Sequence, residues 1–596
     1  MTQDEHPVIV TDDIDVAYRK LAPSGPLALD LETTGLRPYD DKACVIALSD
    51  GNVTVIVGNQ ARFPQSRENQ GGLIDPDWLS NHRVVTQNGT MFDLRFWGIP
   101  VPTDHYDVRH AEVIIQHRKG VHQPLASLRR ILPRYIPTAE KLDMAEHSWN
   151  QWPLTSHQIA YVSSDVKYLP KVMELQEEWY RSASYGGRAI RFEQATTPML
   201  AAIMRRGMPF DDDAADLVAI ELEAELSVLN NQISEWAPGL NVTSPQQVKR
   251  VLHSLGLSVS STARSELIKF TSAHPIIPII LRAKRIKKHA SMLSGKWRTK
   301  HVHDGRVYPT YNPTGTGTFR FSAADPNIQQ CARDTRGAFA PTDGNVMAML
   351  DYHQQEIRVA ALESKDSQLA DDLMNIDIHT SLAEQAVGPQ SWADMDPRRQ
   401  KRIRGLLKGI TFTWLFGGGQ NSAIQALAST GEKPDARLAA NMLAGLQTRY
   451  RTLSNWQKLI GRKYSRTFQK GRKINLRMGY VRALRPYGQQ ATAAINSPIQ
   501  HGGAMILKQA VQDLGVDAPI VGLVHDEIVF ETQKDGAEHR AQVWQRTMEE
   551  AAMKIYSVDE EELPPDLNDR EPLDRLDFPV EYVIRPSWDK AERERG

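Results

Sequence analysis

The chain has 596 residues, of which 41% are hydrophobic and 24% are charged, which is typical of a globular protein with several domains. Lysine and arginine (71) balance aspartate and glutamate (72), and the net charge of −1 argues against a uniformly basic, histone-like nucleic-acid binder. The chain has only two cysteines, which excludes a disulfide framework and a zinc site with cysteine ligands. It lacks a targeting pattern and a run of about 18 apolar residues, so we expect a cytoplasmic protein without membrane contact.

The first predicted elements are strands, and one of them carries two carboxylates. In the apolar run LALDLETTG, Asp30 and Glu32 are two residues apart, so their side chains lie on the same side of the strand. Two carboxylates on one face raise each other's pKa unless a cation lies between them. Taken alone, the pair is also compatible with a solvated edge strand.

Two later segments add further oxygen ligands to this pair. The segment QNGTMFD ends in Asp93, and a helical pattern over residues 156–179 carries Tyr161 and Asp165 four residues apart on one face. Four carboxylates and a tyrosine can hold two divalent ions about 4 Å apart and orient a water for attack on a phosphodiester. Such oxygen ligands suit Mg²⁺, which needs neither cysteine nor histidine.

Charge is segregated along the chain after a predicted domain boundary at residues 182–187. Residues 211–235 form a helical pattern with acids and no lysine or arginine, whereas residues 281–300 contain eight lysines and arginines and no acid. Residues 436–512 contain fourteen lysines and arginines and no acid. Basic residues interleaved with aromatic ones are typical of contact with a phosphate backbone. The aromatic residues of this stretch include Tyr450, Trp456, Tyr464, Phe468, Tyr480 and Tyr487.

Three segments of the C-terminal half suit phosphoryl transfer. Asp351 ends an apolar strand-like run, and the β-branched run APIVGLVHDEIVFET is interrupted by the polar triplet HDE. Between these two segments, two cations and two aromatic rings recur every four residues, which places them in one stripe along a helix. Taken singly, these features are also explained by a helix N-cap, a hairpin turn and a buried helix face. The stripe consists of Arg404, Lys408, Phe412 and Phe416.

Together, these motifs resemble two families. The N-terminal carboxylates and tyrosine resemble the DEDDy family of 3′–5′ exonucleases. The later segments resemble motifs A, B and C of DNA polymerase family A: DYHQQEIR at residues 351–358, an R-x3-K-x3-F-x3-F-G pattern that starts at Arg404, and HDE at residues 525–527. The segments TGTFRFSAADPNIQ and INSPIQHGGA also match, and the resemblance covers residues 20–590.

This resemblance implies a multidomain fold of the α/β and α+β classes. A ribonuclease H-like exonuclease domain is expected at residues 1–185, followed at residues 186–596 by a polymerase domain shaped like a right hand. The compact layout, without a 5′-nuclease domain, resembles that of a bacteriophage polymerase, with a bacterial origin as the alternative. Within the polymerase domain, we expect the thumb at about 190–315, the palm at about 316–370 and 490–596, and the fingers at about 371–489.

The resemblance also implies a role for each motif residue. Asp30, Glu32, Asp93 and Asp165 are expected to bind metal ions in the exonuclease site, where Tyr161 positions the water. Asp351, Asp526 and the Tyr352 carbonyl are expected to bind metal ions in the polymerase site, which Glu527 supports. The residues expected to bind the incoming dNTP are Gln354, Glu356, His379, Arg404, Lys408, Phe412 and Phe416. The residues expected to contact primer-template DNA are Arg320, Asn496, Gln500 and His525.

The implied function is template-directed DNA synthesis with proofreading. Each site is expected to use two Mg²⁺ ions, with Mn²⁺ as a substitute, and the triphosphate is expected to be neutralised by Arg404, Lys408 and His379. We expect a monomer with helicase, primase and single-strand binding protein as replisome partners, in the host cytoplasm if phage-encoded.

Phe416 departs from the tyrosine usual in the family, and Thr318 and Phe319 look like an insertion. An exonuclease with an inert polymerase-like domain, or a non-catalytic replication scaffold, remain as alternatives.

Overall fold

The computed structural model describes most of the chain. The predicted domain boundary at residue 185, together with Phe468 and Tyr487, lies outside the described residues. Among the described residues, no helix has the length and apolar character needed to cross a bilayer. The described residues are 6–58, 73–143, 149–182, 186–271, 273–429, 436–464, 472–485, 490–556 and 576–589.

The strands of the described residues form five sheets, of which two are large. One large sheet lies in the N-terminal part of the chain and the other in the C-terminal part. The strands are β1 (Val8–Thr11), β2 (Gly25–Thr33), β3 (Ala43–Ser49), β4 (Thr54–Gly58), β5 (His82–Thr86), β6 (His105–Asp107), β7 (Met208–Pro209), β8 (Val302–His303), β9 (Arg306–Val307), β10 (Thr310–Asn312), β11 (Ser322–Ala324), β12 (Asn345–Tyr352), β13 (Lys473–Asn475), β14 (Val481–Ala483), β15 (Ile520–Val524), β16 (Glu527–Gln533) and β17 (Val580–Arg585).

Helices make up most of the remaining described structure. The pattern at 156–179, which we predicted as one helix, is divided into two helices by a short break after Val166. The helices are α1 (Asp15–Lys20), α2 (Pro76–Ser80), α3 (Val108–Arg118), α4 (Leu128–Tyr135), α5 (Ser156–Val166), α6 (Leu169–Ser182), α7 (Gly186–Arg206), α8 (Asp212–Ser234), α9 (Pro245–Ser254), α10 (Arg264–Leu267), α11 (Ile276–Ser291), α12 (Gly295–His301), α13 (Gln355–Ser364), α14 (Ser367–Asn375), α15 (Ile378–Val387), α16 (Pro389–Ala393), α17 (Pro397–Leu415), α18 (Gln420–Ser429), α19 (Ala436–Arg449), α20 (Arg451–Tyr464), α21 (Gln490–Leu514) and α22 (Ala537–Tyr556). Short 3₁₀ turns lie at Asp93–Arg95, Ile268–Phe270, Ile328–Gln330, Arg333–Ala338 and Arg477–Gly479.

The N-terminal sheet is mixed and has the strand order β1-β4-β3-β2-β5-β6. Strand β3 is antiparallel to both of its neighbours, and the other pairs are parallel. All seven residues of β3 are buried, because the sheet is covered on both faces. Strand β2 lies between β3 and β5, so the carboxylates it carries lie within the sheet and not at a solvated edge.

Helix α7 joins the N-terminal part to the rest of the molecule. On one side, its Gln194 accepts a hydrogen bond from the backbone N–H of Asp107 at 2.7 Å. On the other side, the fully buried Glu193 forms an ion pair with Lys508 of α21 at 2.7 Å and accepts a hydrogen bond from the Tyr480 hydroxyl at 2.6 Å. A buried charge is tolerated only when it is paired and hydrogen-bonded, so these contacts restrain the two parts relative to each other.

The acidic and basic runs that the sequence separates lie against each other in space. Helix α8 carries the acidic run and packs against α11, which carries much of the basic run. Arg282 of α11 donates two hydrogen bonds to Glu225 of α8, at 2.6 and 2.7 Å. Part of this basic charge is therefore offset within the protein.

The C-terminal sheet is antiparallel and has the order β15-β16-β12-β17. Its central strand β12 ends in Asp351 and Tyr352, and its neighbour β16 begins with Glu527 directly opposite Asp351. Helices α21 and α22 pack on each other and carry long buried faces. The pairing of β16 with β12 holds the turn between β15 and β16 beside the end of β12.

Candidate active sites

The first candidate site lies on β2 and collects the predicted N-terminal carboxylates. Ligand oxygens of Asp30, Glu32 and Asp165 all lie within 4.8 Å of one another. Asp93 begins a 3₁₀ turn, and its carboxylate accepts a hydrogen bond from the backbone N–H of Leu31 at 2.9 Å. Because Leu31 lies between Asp30 and Glu32, this bond fixes Asp93 beside the pair.

The electrostatics of this cluster favour a bound cation. Burial, together with the charges of its neighbours, raises the pKa of Glu32 to about 8. Burial also raises the pKa of Asp93 to about 7, against the opposing effect of its backbone hydrogen bonds. Asp30 has its pKa raised well above the usual range by burial and by the carboxylates around it. Carboxylates in such positions ionise readily only beside a cation, and an all-oxygen ligand set suits a hard divalent ion.

Two side chains next to the carboxylates complete the site. Tyr161 lies one turn before Asp165 on α5, and burial and the neighbouring carboxylates raise its pKa, so the hydroxyl stays protonated and can donate. Lys141 donates a hydrogen bond to Asp165, and its Nζ lies 3.5 Å from the Tyr161 ring centroid. Sequence reasoning missed Lys141 because it belongs to no helix or strand pattern and only the fold brings it here.

The second candidate site lies where β12 ends and β15 turns into β16. Asp351 is the next-to-last residue of β12, and Asp526 lies in the turn between Val524 and Glu527. Burial and the charge of Asp351 raise the pKa of Asp526 to about 7. Asp351 does not cap a helix, because the residue before α13 is Gln354, at a positive φ of 54°. This pair of carboxylates again favours a cation between them.

Glu527 follows Asp526 and lies opposite Asp351, and buried partners hold its side chain. Its carboxylate accepts a hydrogen bond from the Trp588 indole N–H at 2.8 Å and pairs with Arg336 at 3.4 Å. The Arg336 guanidinium stacks 4.0 Å from the Trp588 ring centroid. These contacts give Glu527 a role in anchoring the turn. Trp588 carried no motif signal, and Arg336 lies in the segment DTRGAFAPTDGNVMAMLD, which matches the family, but neither was assigned a role from the sequence.

A cavity of about 350 Å³ adjoins Asp351 and Asp526 and collects most of the predicted nucleotide-binding residues. Phe416 does not line it, because it follows the end of α17, with its ring centroid 6.4 Å from that of Phe412. Arg333 and Glu581 line the cavity and were not predicted. The predicted residues that line it are Asp351, Tyr352, Gln354, Glu356, His379, Arg404, Lys408, Phe412 and Asp526.

The positive side of this cavity comes from α17. Arg404 is held by Asp377 at 2.6 Å, and Asp377 also caps α15. Lys408 is exposed one turn later on the same face. Burial, despite the charge of Asp377, lowers the pKa of His379 to about 4. This shift favours the neutral imidazole near pH 7. That His379 helps to neutralise a bound triphosphate stays a prediction.

The predicted DNA-contacting residues fall into two groups. Arg320 forms an ion pair with Glu356 and lies near His525 at the edge of the second site. Asn496 and Gln500 lie on α21 and line a different cleft of about 840 Å³. The segment that looked inserted before Arg320 has a packing role, because Phe319 is fully buried against Tyr480 with ring centroids 4.7 Å apart.

The fold and the two carboxylate sites define an enzyme of phosphoryl transfer with separate hydrolytic and polymerising domains. The chain belongs to DNA polymerase family A, whose model matches residues 213–560, and a 3′–5′ exonuclease model matches residues 7–177. It is a DNA-directed DNA polymerase with a 3′–5′ exonuclease domain, and both parts belong to metal-dependent families. The family, the fold class and the enzyme class predicted from the sequence are thus confirmed.

Relatives and a solved structure agree with this assignment. The chain is 26% identical to DNA polymerase I of Aquifex aeolicus over 620 residues, covering 96% of this chain and 97% of the relative. It is 29% identical to the thermostable DNA polymerase I of Thermus filiformis over 384 residues, covering 60% of this chain but 45% of that relative. The same fold occurs in the POL domain of Pol1 from M. smegmatis, solved with DNA primer-template and dNTP (TM-score 0.74, 18% identity, 97% of this chain and 99% of that one).

Proposed function

We propose that the protein extends a DNA primer on a template with dNTPs and removes mispaired primer ends at a separate site. The observation that carries this proposal is the cavity in which Asp351 and Asp526 face the cations of α17. Opposite charges placed at two ends of one cavity match a metal-bound triphosphate, which carries charge of both signs. A protein that only binds DNA does not need carboxylates and cations on opposite sides of one cavity.

In the polymerase site, different side chains are proposed to contact the phosphates, the sugar and the base of an incoming nucleotide. Arg404 and Lys408 bind the phosphates, His379 adds a neutral hydrogen bond, and Phe412 packs on the sugar and base. Asp351, Asp526 and the Tyr352 carbonyl hold Mg²⁺, for which Mn²⁺ substitutes. When bound, such ions lower the pKa of the primer hydroxyl and stabilise the leaving pyrophosphate.

In the exonuclease site, the four carboxylates hold metal ions and Tyr161 orients the attacking water. The protonated Tyr161 hydroxyl donates to that water, which is the role its raised pKa permits. The carboxylates are Asp30, Glu32, Asp93 and Asp165.

Primer-template DNA is the proposed partner of Arg320, Asn496, Gln500 and His525. Donors in the minor groove test base-pair geometry without reading sequence, because its acceptors are alike in all pairs. The similar structure that was solved with primer-template DNA and dNTP supports this proposal. The subdomain bounds, the monomeric state, the replisome partners and the phage origin remain predictions from the sequence.

A primer-extension assay tests the proposed function. With a labelled primer-template, dNTPs and Mg²⁺, we expect extension to the end of the template, and without dNTPs we expect shortening from the 3′ end. A protein that shortens primers but never extends them would have an inert polymerase-like domain. A protein that does neither would be a scaffold.

Glu356→Ala is expected to increase ribonucleotide incorporation about a hundredfold relative to deoxynucleotide incorporation. Glu356 lines the nucleotide cavity, and its side chain would crowd a ribose 2′-hydroxyl. Loss of a steric contact of this size changes selectivity by about 10–200-fold. Competition between dNTP and rNTP measures the ratio. Glu356→Gln keeps the bulk and should retain selectivity; equal ratios in all three proteins would remove Glu356 from this role.

A further inference from the structure

Helix α8 carries a row of apolar side chains on its exposed face. Leu217, Ile220 and Val228 are 60%, 62% and 57% exposed, and Ala224 between them is also exposed. Their spacing of three, four and four residues places all four on one face of the helix, over a length of about 16 Å. We call these four residues the apolar row of α8. Single exposed apolar residues are common, whereas a contiguous row of them is typical of an interaction surface.

The packing of α8 does not explain the apolar row. The helix packs against α11 and buries Val218 and Leu222, which lie on the opposite side of the helix from the row. Helix propensity does not explain it either, because Ile220 and Val228 have β-branched side chains that lose rotamer freedom in a helix. Two such residues on the solvent side of one helix therefore point to a binding role.

The charge around the apolar row is negative. Helix α8 contains six acids and no lysine, arginine or histidine. Asp213 is exposed one turn before Leu217, and the exposed Glu221 and Glu223 follow Ile220 and precede Ala224. The acids that pair with arginines of neighbouring helices are Asp212, Asp216 and Glu225.

This charge decides between the kinds of occupant. An acidic surface repels the phosphates of DNA and the anionic headgroups of a membrane. A second copy of the chain offers the basic helices α11 and α20, but the basic half of α11 buries Ala283 and Ile286. Among the described residues, α20 exposes one large apolar side chain, Leu459. One leucine cannot cover a row of four residues, so the complement is a segment of another protein that carries both apolar residues and cations.

We propose that the apolar row of α8 docks a basic amphipathic helix of a partner protein. The apolar face of that helix would cover Leu217, Ile220 and Val228, and its lysines or arginines would lie beside the acids that flank the row. Within the described structure, no residue of α8 lines the nucleotide cavity or belongs to the carboxylate cluster of β2. The partner would therefore bind without blocking either site, and this inference does not depend on the proposed function.

A synthetic peptide tests this inference. The probe is a fluorescein-labelled helix of about 18 leucines and lysines, with the leucines spaced three and four residues apart. We expect saturable binding by fluorescence anisotropy, with one site per chain. Leu217→Gln combined with Ile220→Gln should raise the Kd at least about tenfold, because it removes the centre of the apolar contact. Asp213→Asn combined with Glu223→Gln should raise it about threefold at low salt and leave it unchanged at high salt.

Matched controls separate the outcomes. Val543→Gln removes an apolar side chain that is 48% exposed on α22 and should leave the Kd unchanged. A peptide with glutamate in place of lysine should not bind. The variant with Leu217→Gln and Ile220→Gln should keep the thermal stability and the primer extension of the wild type, since the row lies outside the core and the nucleotide cavity.

Two results would overturn the inference directly: an unchanged Kd in the variant of Leu217 and Ile220, and equal binding of the glutamate peptide. Sedimentation velocity adds a third. Self-association of the wild type that this variant abolishes would assign the row to a second copy, against the proposed partner. Because the peptide is bound without DNA or dNTP, failure of the wild type to extend a primer would refute the proposed function alone.

Discussion

Asp526→Asn is expected to lower the rate of primer extension by at least about a thousandfold, which corresponds to about 4 kcal/mol of transition-state stabilisation. Asparagine keeps the shape of the side chain but lacks the charge that, with Asp351, attracts the metal ions. Burial and Asp351 already raise the pKa of Asp526 to about 7, so the site depends on those ions to keep it ionised. Single-turnover extension at saturating dNTP measures the rate.

The same variant should retain the other functions of the molecule. Degradation of a single-stranded oligonucleotide should be unchanged, because the carboxylates proposed for that reaction lie on β2, on α5 and in the 3₁₀ turn at Asp93, away from the C-terminal sheet. The Kd for primer-template should not rise, since the substitution removes a negative charge near the bound DNA. Extension within about tenfold of wild type would show that Asp526 is not an essential metal ligand.

Replacing Asp30 and Glu32 together with alanine is expected to abolish primer degradation, with a loss of at least about a thousandfold. Both side chains leave β2 on the same face, and their oxygens lie within 4.8 Å of those of Asp165. Without them, the remaining carboxylates cannot hold two ions in a fixed geometry. Release of nucleotides from a 3′-labelled single strand measures the loss.

Extension by this double variant should equal that of the wild type, because the second site does not share these residues. Thermal stability in metal-free buffer should not fall, since the substitutions remove two acids whose charged forms are destabilised by burial and by the neighbouring carboxylates. Glu178→Ala, on the exposed face of α6, is the matched control and should change neither activity. Loss of extension along with degradation would contradict separate sites.

Several predictions succeeded because they depended on local periodicity. A strand repeats every two residues and a helix about every 3.6, so Asp30 with Glu32, and Arg404 with Lys408, had to share a face wherever those elements packed. The structure places each pair in a common site. Asp526 does lie in a hairpin turn between β15 and β16, which the sequence had left open only as an alternative explanation of the polar triplet.

Other features depended on how those elements pack. His379 matched the motif, yet its charge is decided by burial, which lowers its pKa to about 4. Phe416 continued the helical stripe, but α17 ends one residue before it, so the ring lies outside the nucleotide cavity. In the structure, the helical stripe that lines the cavity runs from Arg404 to Phe412, and Phe416 lies beyond the end of the helix.

The sequence by itself therefore determined the family, the enzyme class and the side chains whose spacing is set within one strand or helix. Only the tertiary structure decided which distant residues meet there: Lys141 beside Asp165, Trp588 against Glu527, and Glu193 paired with Lys508. It also shows that a chain with a net charge of −1 forms a cleft whose described lining residues include three arginines and no acid. The physical reason is that contacts within an element follow from backbone geometry, whereas contacts and potentials between elements follow from the packing of surfaces far apart in the chain.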